Sequence, residues 1–576
     1  MNELIKLMFD RRAYSAKFLQ EMNNPKHGLL KDIDVFVTYL HSAKDKEITQ
    51  ITDFDLDGIA SGVVGFSGLS ELGFHINLLT PDSTEGYGFN EKVIDRMLRE
   101  YPNTQVIITS DNGISCEKGI AYAKQLGLMV LVTDHHKQDK GIIVQADCIV
   151  DPMRLDETYD HPAICGAYVL QQCLQHYANI YCDSFMQEQI YRLGVFAGLG
   201  TLSDSMPVLY ENRDVIRRLL DFCDLLYTDK TDVLLQAMPG CEQYKRPFYG
   251  LKRLLEVLKP TVKGTFNIDE MLFGFYAIPM FNSCKRLDAP LTLAFGVFFD
   301  VDPTSSLLAL QRLNDERKNL VVKYLDLIDK TPQPFAPFIY FSEASHGILG
   351  LLASKLMEIS GQTTLVVNPS KPTSIGMEHY GSGRSPDWYP FIDQMDLFRQ
   401  SYPQFYVGGH NPAFGCHFTE QDLSPFYQYL STDFNRLYTE LGIANKSDID
   451  LIISTCGDGD VCLDVGMIEE YLEEIQQYKP FGKGFPEPKI LLKFTSRDIT
   501  NWQELSQGKH LKVTFWNKFD ILLWFQGDLS VYSALQHLDT STFTFVVSGK
   551  LGINEFRGTT TLNFQGKIKD VIETKL

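Results

Sequence analysis

The chain has 576 residues, 44% hydrophobic and 22% charged, with 53 Lys and Arg against 73 Asp and Glu for a formal net charge of −20. That length exceeds what one hydrophobic core holds and predicts roughly two to four domains. The acidic balance excludes a basic coat for nonspecific duplex binding, while a local basic groove on an acidic body stays open.

The opening MNELIKLMFDRRAYSAKF lacks the apolar stretch and small-residue cleavage site of a secretory signal. Nothing in the chain approaches roughly 18 uninterrupted apolar residues, so no transmembrane helix is expected. The 11 cysteines form no CxxC pair, which predicts reduced thiols in a cytoplasmic protein and argues against zinc.

Residues 1–28 read as an N-terminal extension, followed over 29–300 by alternating strand and helix patterns. Strands are expected at 48–54, 75–81, 105–113 and 128–136, with helices at 58–74, 91–101 and 117–127. Such alternation predicts an α/β, doubly wound parallel sheet with helical crossovers. Ligands of such sheets gather outside the carboxyl ends of the strands.

Over 301–332 the apolar positions Leu310, Leu313, Leu320, Tyr324 and Leu327 or Ile328 recur at helical spacing, ahead of the break TPQPFAPF. This is a connecting helix. A second α/β unit is expected over 333–487, with strands at 338–341 and 363–367, a helix at 347–360, and the clusters GSGRS (381–385) and GGHNPAFG (408–415). From 488 to 576 closely spaced β-rich segments predict a small barrel or sandwich.

Three expected strands end in acidic motifs, DFDLDG at 53–58, SDNG at 110–113 and TDHH at 133–136, and Asp204 closes an apolar helical stretch over 195–207. One aspartate after a strand is an ordinary turn or cap residue. Asp55, Asp57, Asp111, Asp134, His135, His136 and Asp204 meeting at one sheet edge would repel one another unless cations joined them. Carboxylates with a few imidazoles suit Mn2+ or Mg2+ better than zinc. Two such ions, sharing one carboxylate, support in-line phosphoryl displacement. If the strand runs on through DFDLDG, Asp53, Asp55 and Asp57 share one face, and Gly58 permits the turn into the helix.

With these motifs in this order, the chain resembles the DHH phosphoesterase superfamily, named for the triplet seen here as Asp134–His135–His136. Within it, the resemblance is to the RecJ family of single-stranded-DNA-specific 5′→3′ exonucleases, and runs from about residue 29 through MFNSCKRLDAPLTLAF, HGILGLLASKL, GSGRS, GGHNPAFG, YKPFGKGFPEP and GKHLKVTF. It implies a DHH catalytic domain, a DHH-associated domain that closes over substrate, and a C-terminal OB-like domain. It further implies that Asp55 and Asp57 bind one divalent cation each, that Asp111 bridges them, and that His135 and Asp204 complete the ligand set of the second cation. His136 would face the scissile phosphate, with Asp53 and Asp134 orienting their neighbours. Asn282 and Arg286 match a phosphate-contacting stretch, for which an interdomain salt bridge is the competing role of Arg286.

In the associated domain, Ser382, Arg384, Gly408, Gly409 and His410 are the candidate substrate contacts. In HLKVTFWNKF, with the lysine that precedes it, Lys509, Lys512 and Trp516 are candidate contacts to a single strand, the alternative being solvated lysines and partly buried rings. The resemblance implies single-stranded DNA as ligand, a single-strand-binding protein or a helicase as partner, a monomer, a repair or recombination role, and no membrane. The usual WHxGVIG, RLNAAGR and GGHAMAAG of the family stand here as ASHGILG, MFNSCKR and GGHNPAFG, changes that fall on substrate recognition and spare the metal-site positions. Two other functions compete. One is a small-substrate relative, such as a nanoRNase, a pAp phosphatase or a cyclic-dinucleotide phosphodiesterase, which has no need of the long connector and extra β domain. The other is a non-catalytic scaffold like Cdc45, which has no need of paired carboxylates.

Overall fold

The computed structural model describes residues 2–24, 28–80, 82, 85–86, 88–138, 141, 143–262, 266–373, 376–443, 449–455, 457–505, 510–515, 519–523, 535, 542–556 and 559–574. Five parallel strands, β1 (Glu47–Thr52), β2 (His75–Leu79), β3 (Val106–Ser110), β4 (Met129–Thr133) and β5 (Cys148–Val150), form the first sheet in the order β2-β1-β3-β4-β5. Their side chains alternate between two cores, as the strand period requires. Ile48, Val106, Ile108 and Leu131 pack under the helices Leu56–Glu71, Gly166–Tyr181 and Gly194–Ser203. Ile51, Ile107, Val130 and Val132 pack under Glu91–Glu100 and Glu117–Gln125. Burial on both faces is why these strands read as near-continuous apolar runs. The first three crossover helices lie within a few residues of their expected spans. The short β5, Cys-Ile-Val, was not anticipated.

The connecting helix spans Thr304–Lys330 and buries Leu310 and Ile328, whereas Leu327 points outward. Beyond it, β6 (Ile339–Phe341), β7 (Thr364–Thr373), β8 (Gly376–Arg384), β9 (Tyr406–His410) and β10 (Ala413–Thr419) make a second sheet in the order β6-β7-β8-β10-β9. The helix His346–Ser360 covers part of one face, through Ile348, Leu349, Leu352 and Ala353 against Val366.

The third sheet starts earlier than expected. The strands β11 (Leu451–Ser454) and β12 (Val461–Cys462), assigned above to the second unit, pair in parallel with each other, and β11 pairs with β13 (Ile490–Thr495). The order is completed by β14 (Ile499–Leu505), β15 (His510–Phe515), β16 (Phe519–Leu523), β17 (Thr542–Phe556) and β18 (Thr559–Thr574), giving β12-β11-β13-β17-β18-β16-β15-β14. Periodicity could not assign β11, because its partner β13 lies beyond the intervening helix Val465–Ile475.

The N-terminal segment is likewise part of this body. Leu4, Ile5, Met8, Phe9 and Met22, from the helices Glu3–Arg11 and Ala16–Asn23, share a core with Ile490, Phe494 and Phe545. Arg12 forks onto Asp450 at 2.5 and 2.6 Å, so the two chain ends are fastened together. The fully buried Arg213 then ties this body to the first domain. It donates to Asn23 Oδ1 at 3.0 Å, Pro480 O at 2.7 Å, and the carbonyls of Tyr478 and Lys479. Among the described residues, no helix is long and apolar enough to cross a membrane.

Arg213→Ala would strand those buried carbonyls without a donor. It should lower stability by about 3 kcal/mol, seen as a reduced thermal midpoint, with divalent-cation binding by the folded protein unchanged.

Candidate active site

Register decides where the acids go. Thr52 aligns with Ser110, Ser110 with Thr133, and Thr133 with Val150, so four strands end side by side. The next residue of every one is an aspartate: Asp53, Asp111, Asp134 and Asp151. Neighbouring strands lie about 4.8 Å apart, which turns sequence separations of tens of residues into lateral contact.

Asp55 and Asp57 reach this row by a different route from the one expected. The strand stops at Thr52, so period-two alternation does not continue through DFDLDG. Instead, Asp55 caps the helix Leu56–Glu71, its Oδ1 accepting from the amides of Asp57 (3.2 Å) and Gly58 (3.4 Å). Asp57 lies in the first turn. Gly58 is inside the helix rather than at a bend, and a Cβ there would collide with the Asp53 carbonyl. Asp57 is held at the start of a second helix, accepting from Gly166 N at 2.7 Å and Ala167 N at 3.2 Å.

His135 links the sets. Its Nδ1 faces the Ile164 carbonyl at 3.0 Å, and since a carbonyl only accepts, Nδ1 carries the proton. The bare Nε2 then points at Asp111 Oδ1 (3.0 Å), Asp204 Oδ2 (3.3 Å) and Asp57 Oδ2 (3.7 Å). Asp134 stands behind both imidazoles. Its Oδ1 accepts from the amides of His135 (2.7 Å) and His136 (3.2 Å) and bonds His136 Nδ1 at 2.8 Å, while Oδ2 takes Ile114 N at 2.9 Å.

This packing is charged against itself. Burial, then Asp57, Asp55 and Asp204, push Asp111 well above the usual carboxylate range, and burial with Asp57 and Asp55 does the same to Asp204. Asp53 rises to about 7 through burial and Asp55, and Asp151 to about 8 through burial and Asp134. Burial also acts on Asp55, but Lys285 and the Gly58 amide outweigh it and hold that carboxyl low. Burial opposes the charge on His136, yet the bond to Asp134 lifts it to about 10. Among the described residues, the buried Asp111 Oδ1 and His135 Nε2 have no hydrogen-bond partner. Three groups bring donor atoms within 4.8 Å of one another: Asp53, Asp55 and Asp111; Asp57, His135 and Asp204; Asp111, His135 and His136. Anionic oxygens and a bare imidazole nitrogen facing one another fit a divalent cation, since positive charge removes the repulsion that burial creates.

Beside the acids lies a cluster of cations. Arg286 follows Asn282 on the helical turn Ser283–Arg286 and donates to Gly347 O at 3.3 Å. Arg384 ends β8, and Arg317 comes from the connecting helix. Burial, then Arg286, lowers Arg384 to about 10 and also lowers Arg317; burial lowers Arg286 despite Asp55. Among the described residues none of the three forms an ion pair, and Asn282 Oδ1 is buried without a partner. Desolvated arginines facing one another make a receptor for an oxyanion.

The remaining expected contacts divide. Ser382 lies two residues from Arg384 on the same face of β8. Gly409 has φ +118°, a conformation that glycine tolerates, and Gly408 leaves room for the Tyr406 hydroxyl. His410 closes β9, but its side chain is outside the described residues, as are Lys509 and Trp516. Lys512 does not present a free charge: its Nζ pairs with Asp520 Oδ2 at 2.7 Å on the adjacent strand. Three residues escaped the sequence reading. Asp151 is hidden by the brevity of β5, Arg317 lies off the apolar positions that mark the connecting helix, and Lys285, 3.5 Å from Asp55 Oδ2, carries no motif signal of its own between Asn282 and Arg286.

Residues 47–196 match the model of the DHH family, N-terminal domain, and residues 460–569 match the RecJ OB domain. The chain thus carries a DHH-family N-terminal domain and a RecJ OB domain, and it is similar to RecJ exonucleases over most of its length. It is 26% identical to the single-stranded-DNA-specific exonuclease RecJ of Salmonella typhimurium over 96% of this chain and 94% of that protein, and equally to that of Escherichia coli over the same shares. The crystal structure of RecJ in complex with Mn2+ from Thermus thermophilus covers all of this chain with 76% of its own, at a TM-score of 0.72 and 20% identity, and so shares the fold. The second matched model begins at residue 460, between β11 and β12, in keeping with the early start of the third sheet.

A Cβ on Gly200 would collide with Asp57 Oδ1, and one on Gly166 would lie 2.7 Å from Asp111 Oδ1. Gly200→Ala should therefore weaken Mn2+ binding about tenfold or more, as a misplaced ligand does. Isothermal titration with Mn2+ checks this, and an unchanged thermal transition would locate the defect in the site.

Proposed function

We propose that this chain hydrolyses phosphodiester bonds of single-stranded DNA from a 5′ end, using two divalent cations, Mn2+ or Mg2+. The observation that carries the reading is the adjacency of the acid and imidazole cluster to three arginines that form no ion pair among the described residues, one from each of three different parts of the chain. Asp55, Asp57, Asp111, His135 and Asp204 hold the cations, with Asp53 within reach of the Asp55 side. The cations, when bound, supply Lewis acidity toward a phosphate oxygen and an acidified water.

The other steps belong to side chains. Asp134 fixes the backbone of His135 and the ring of His136, whose partly exposed imidazole, held protonated by that carboxylate, would donate a proton to the substrate phosphate. The arginines take the terminal phosphate as a bidentate target and place the next phosphodiester over the acids. Lys285 neutralises part of the negative charge at Asp55. Repair and recombination, which generate free single-stranded ends, are the proposed setting.

The test is incubation with Mn2+ and oligonucleotides labelled at either end. Release of mononucleotides from the 5′ end of single strands, lost on chelation and absent for blunt duplex, supports the proposal. Activity confined to dinucleotides or cyclic dinucleotides, or Mn2+ binding without any turnover, overturns it.

Two substitutions sharpen the roles. Asp111 has φ +62°, which asparagine also tolerates, so Asp111→Asn should keep the backbone and lower kcat by about 1,000-fold. Retained turnover in single-turnover assays would contradict a ligand role. Arg286→Ala should raise KM for a 5′-phosphorylated strand about tenfold or more and leave the Mn2+ isotherm unchanged. Loss of Mn2+ binding would instead assign Arg286 to the acid cluster.

A further inference from the structure

The open face of the second sheet carries groups that neither the acids nor the arginines use. On β8 the residues Glu378, Tyr380, Ser382 and Arg384 share a face, since side chains alternate along a strand. Register adds Thr419, His417, Gly415 and Ala413 from β10, and opposite these Tyr406 and Gly408 from β9. The other face, through Phe414, Cys416 and Phe418, is core.

The open face is bare at Gly415, where a Cβ would meet only Gly381 O, at 3.9 Å, while Gly408 makes room for the Tyr406 ring. At one end of this floor stands Arg384, beside Arg286. At the other end Tyr380 and His417 stack with ring centroids 4.2 Å apart and planes 20° from parallel. Tyr406, opposite His417 and 59% exposed, leans over Gly408. His346, at the start of the helix His346–Ser360, meets Tyr380 edge-on at 6.1 Å.

Resting on the nuclease reading above, we propose that the Tyr380–His417 stack, with Tyr406 at its side, is a shelf for an unpaired nucleobase near the leading end of the strand held at Arg384. Four residues of strand separate Arg384 from Tyr380, about 13 Å, within reach of the first nucleotides. Charge sorts the ligand along the floor. Glu378 accepts from the Tyr380 hydroxyl at 3.2 Å and lies 3.5 Å from His417 Nε2, so the aromatic end is anionic and repels phosphate. The arginine end attracts it. A base presents a flat, uncharged face that stacks on such rings whatever its identity. A cross-strand aromatic pair that served only the sheet would need neither the bare Gly415 nor a third ring, the exposed Tyr406, beside it.

The test uses 5′-phosphorylated single strands carrying one abasic residue at successive positions from the 5′ end, with Mn2+, on the wild-type protein. One early abasic position should raise KM about tenfold, with kcat changed less. In the double variant Tyr380→Leu, His417→Ser the intact strand should already show that raised KM, and the abasic residue at that position should add nothing. Tyr380→Phe, which keeps the ring, should behave as wild type. KM insensitive to every early abasic position, or equally sensitive in wild type and double variant, overturns the shelf while leaving the nuclease reading standing. Absence of any hydrolysis of the intact strand by the wild-type protein overturns that reading and the shelf with it.

Discussion

Four parallel strands ending in register, each followed by an aspartate, impose the constraint on which the rest of the first domain depends. Thr52, Ser110, Thr133 and Val150 lie side by side, so Asp53, Asp111, Asp134 and Asp151 cannot avoid one another. Buried carboxylates at that spacing either take up protons or gather cations. The surroundings are arranged for the second outcome. Two helix N-termini meet Asp55 and Asp57, Lys285 approaches Asp55, and the His135 tautomer leaves its free nitrogen toward three acids. Gly58, Gly166 and Gly200 mark where backbone presses on this cluster so closely that no Cβ fits.

The same logic of proximity without sequence adjacency assembles the larger body. The connecting helix contributes Arg317, the first domain Arg286 and the second sheet Arg384, so the arginine cluster forms only when three units are docked. Gly347, whose Cβ would collide with the Arg286 carbonyl, shows how close that docking is. On the far side, the N-terminal helices and the third sheet form one core, clamped by Arg12 on Asp450 and fixed to the first domain by Arg213. Segments hundreds of residues apart are thereby held in one body.

The family departures now have places in the structure. MFNSCKR puts Lys285, rather than a small residue, against Asp55, which adds positive charge where the acids are most crowded. ASHGILG leaves His346 at the head of the helix beside Tyr380, and GGHNPAFG is followed two residues later by His417 on the open sheet face. These differences collect around the leading end of the proposed substrate. They replace none of the aspartates of the acid row.

Much of the catalytic site was readable because its parts are local. DFDLDG, SDNG and TDHH each end an apolar run, and strand order in a doubly wound sheet brings such ends to one edge. Asp204 was readable for a similar reason, as the polar stop of an apolar helix. The sequence by itself thus determined the fold class, the acidic strand ends and the two α/β units. Tertiary structure decided what depends on register and docking. It made Asp55 a helix cap rather than a strand residue, brought Asp151 into the acid row, and moved β11 and the first helices into the C-terminal body. It also committed Lys512 to Asp520, and gathered three scattered arginines into one cluster. Periodicity reports which face of an element is apolar, but only packing says which distant element that face meets.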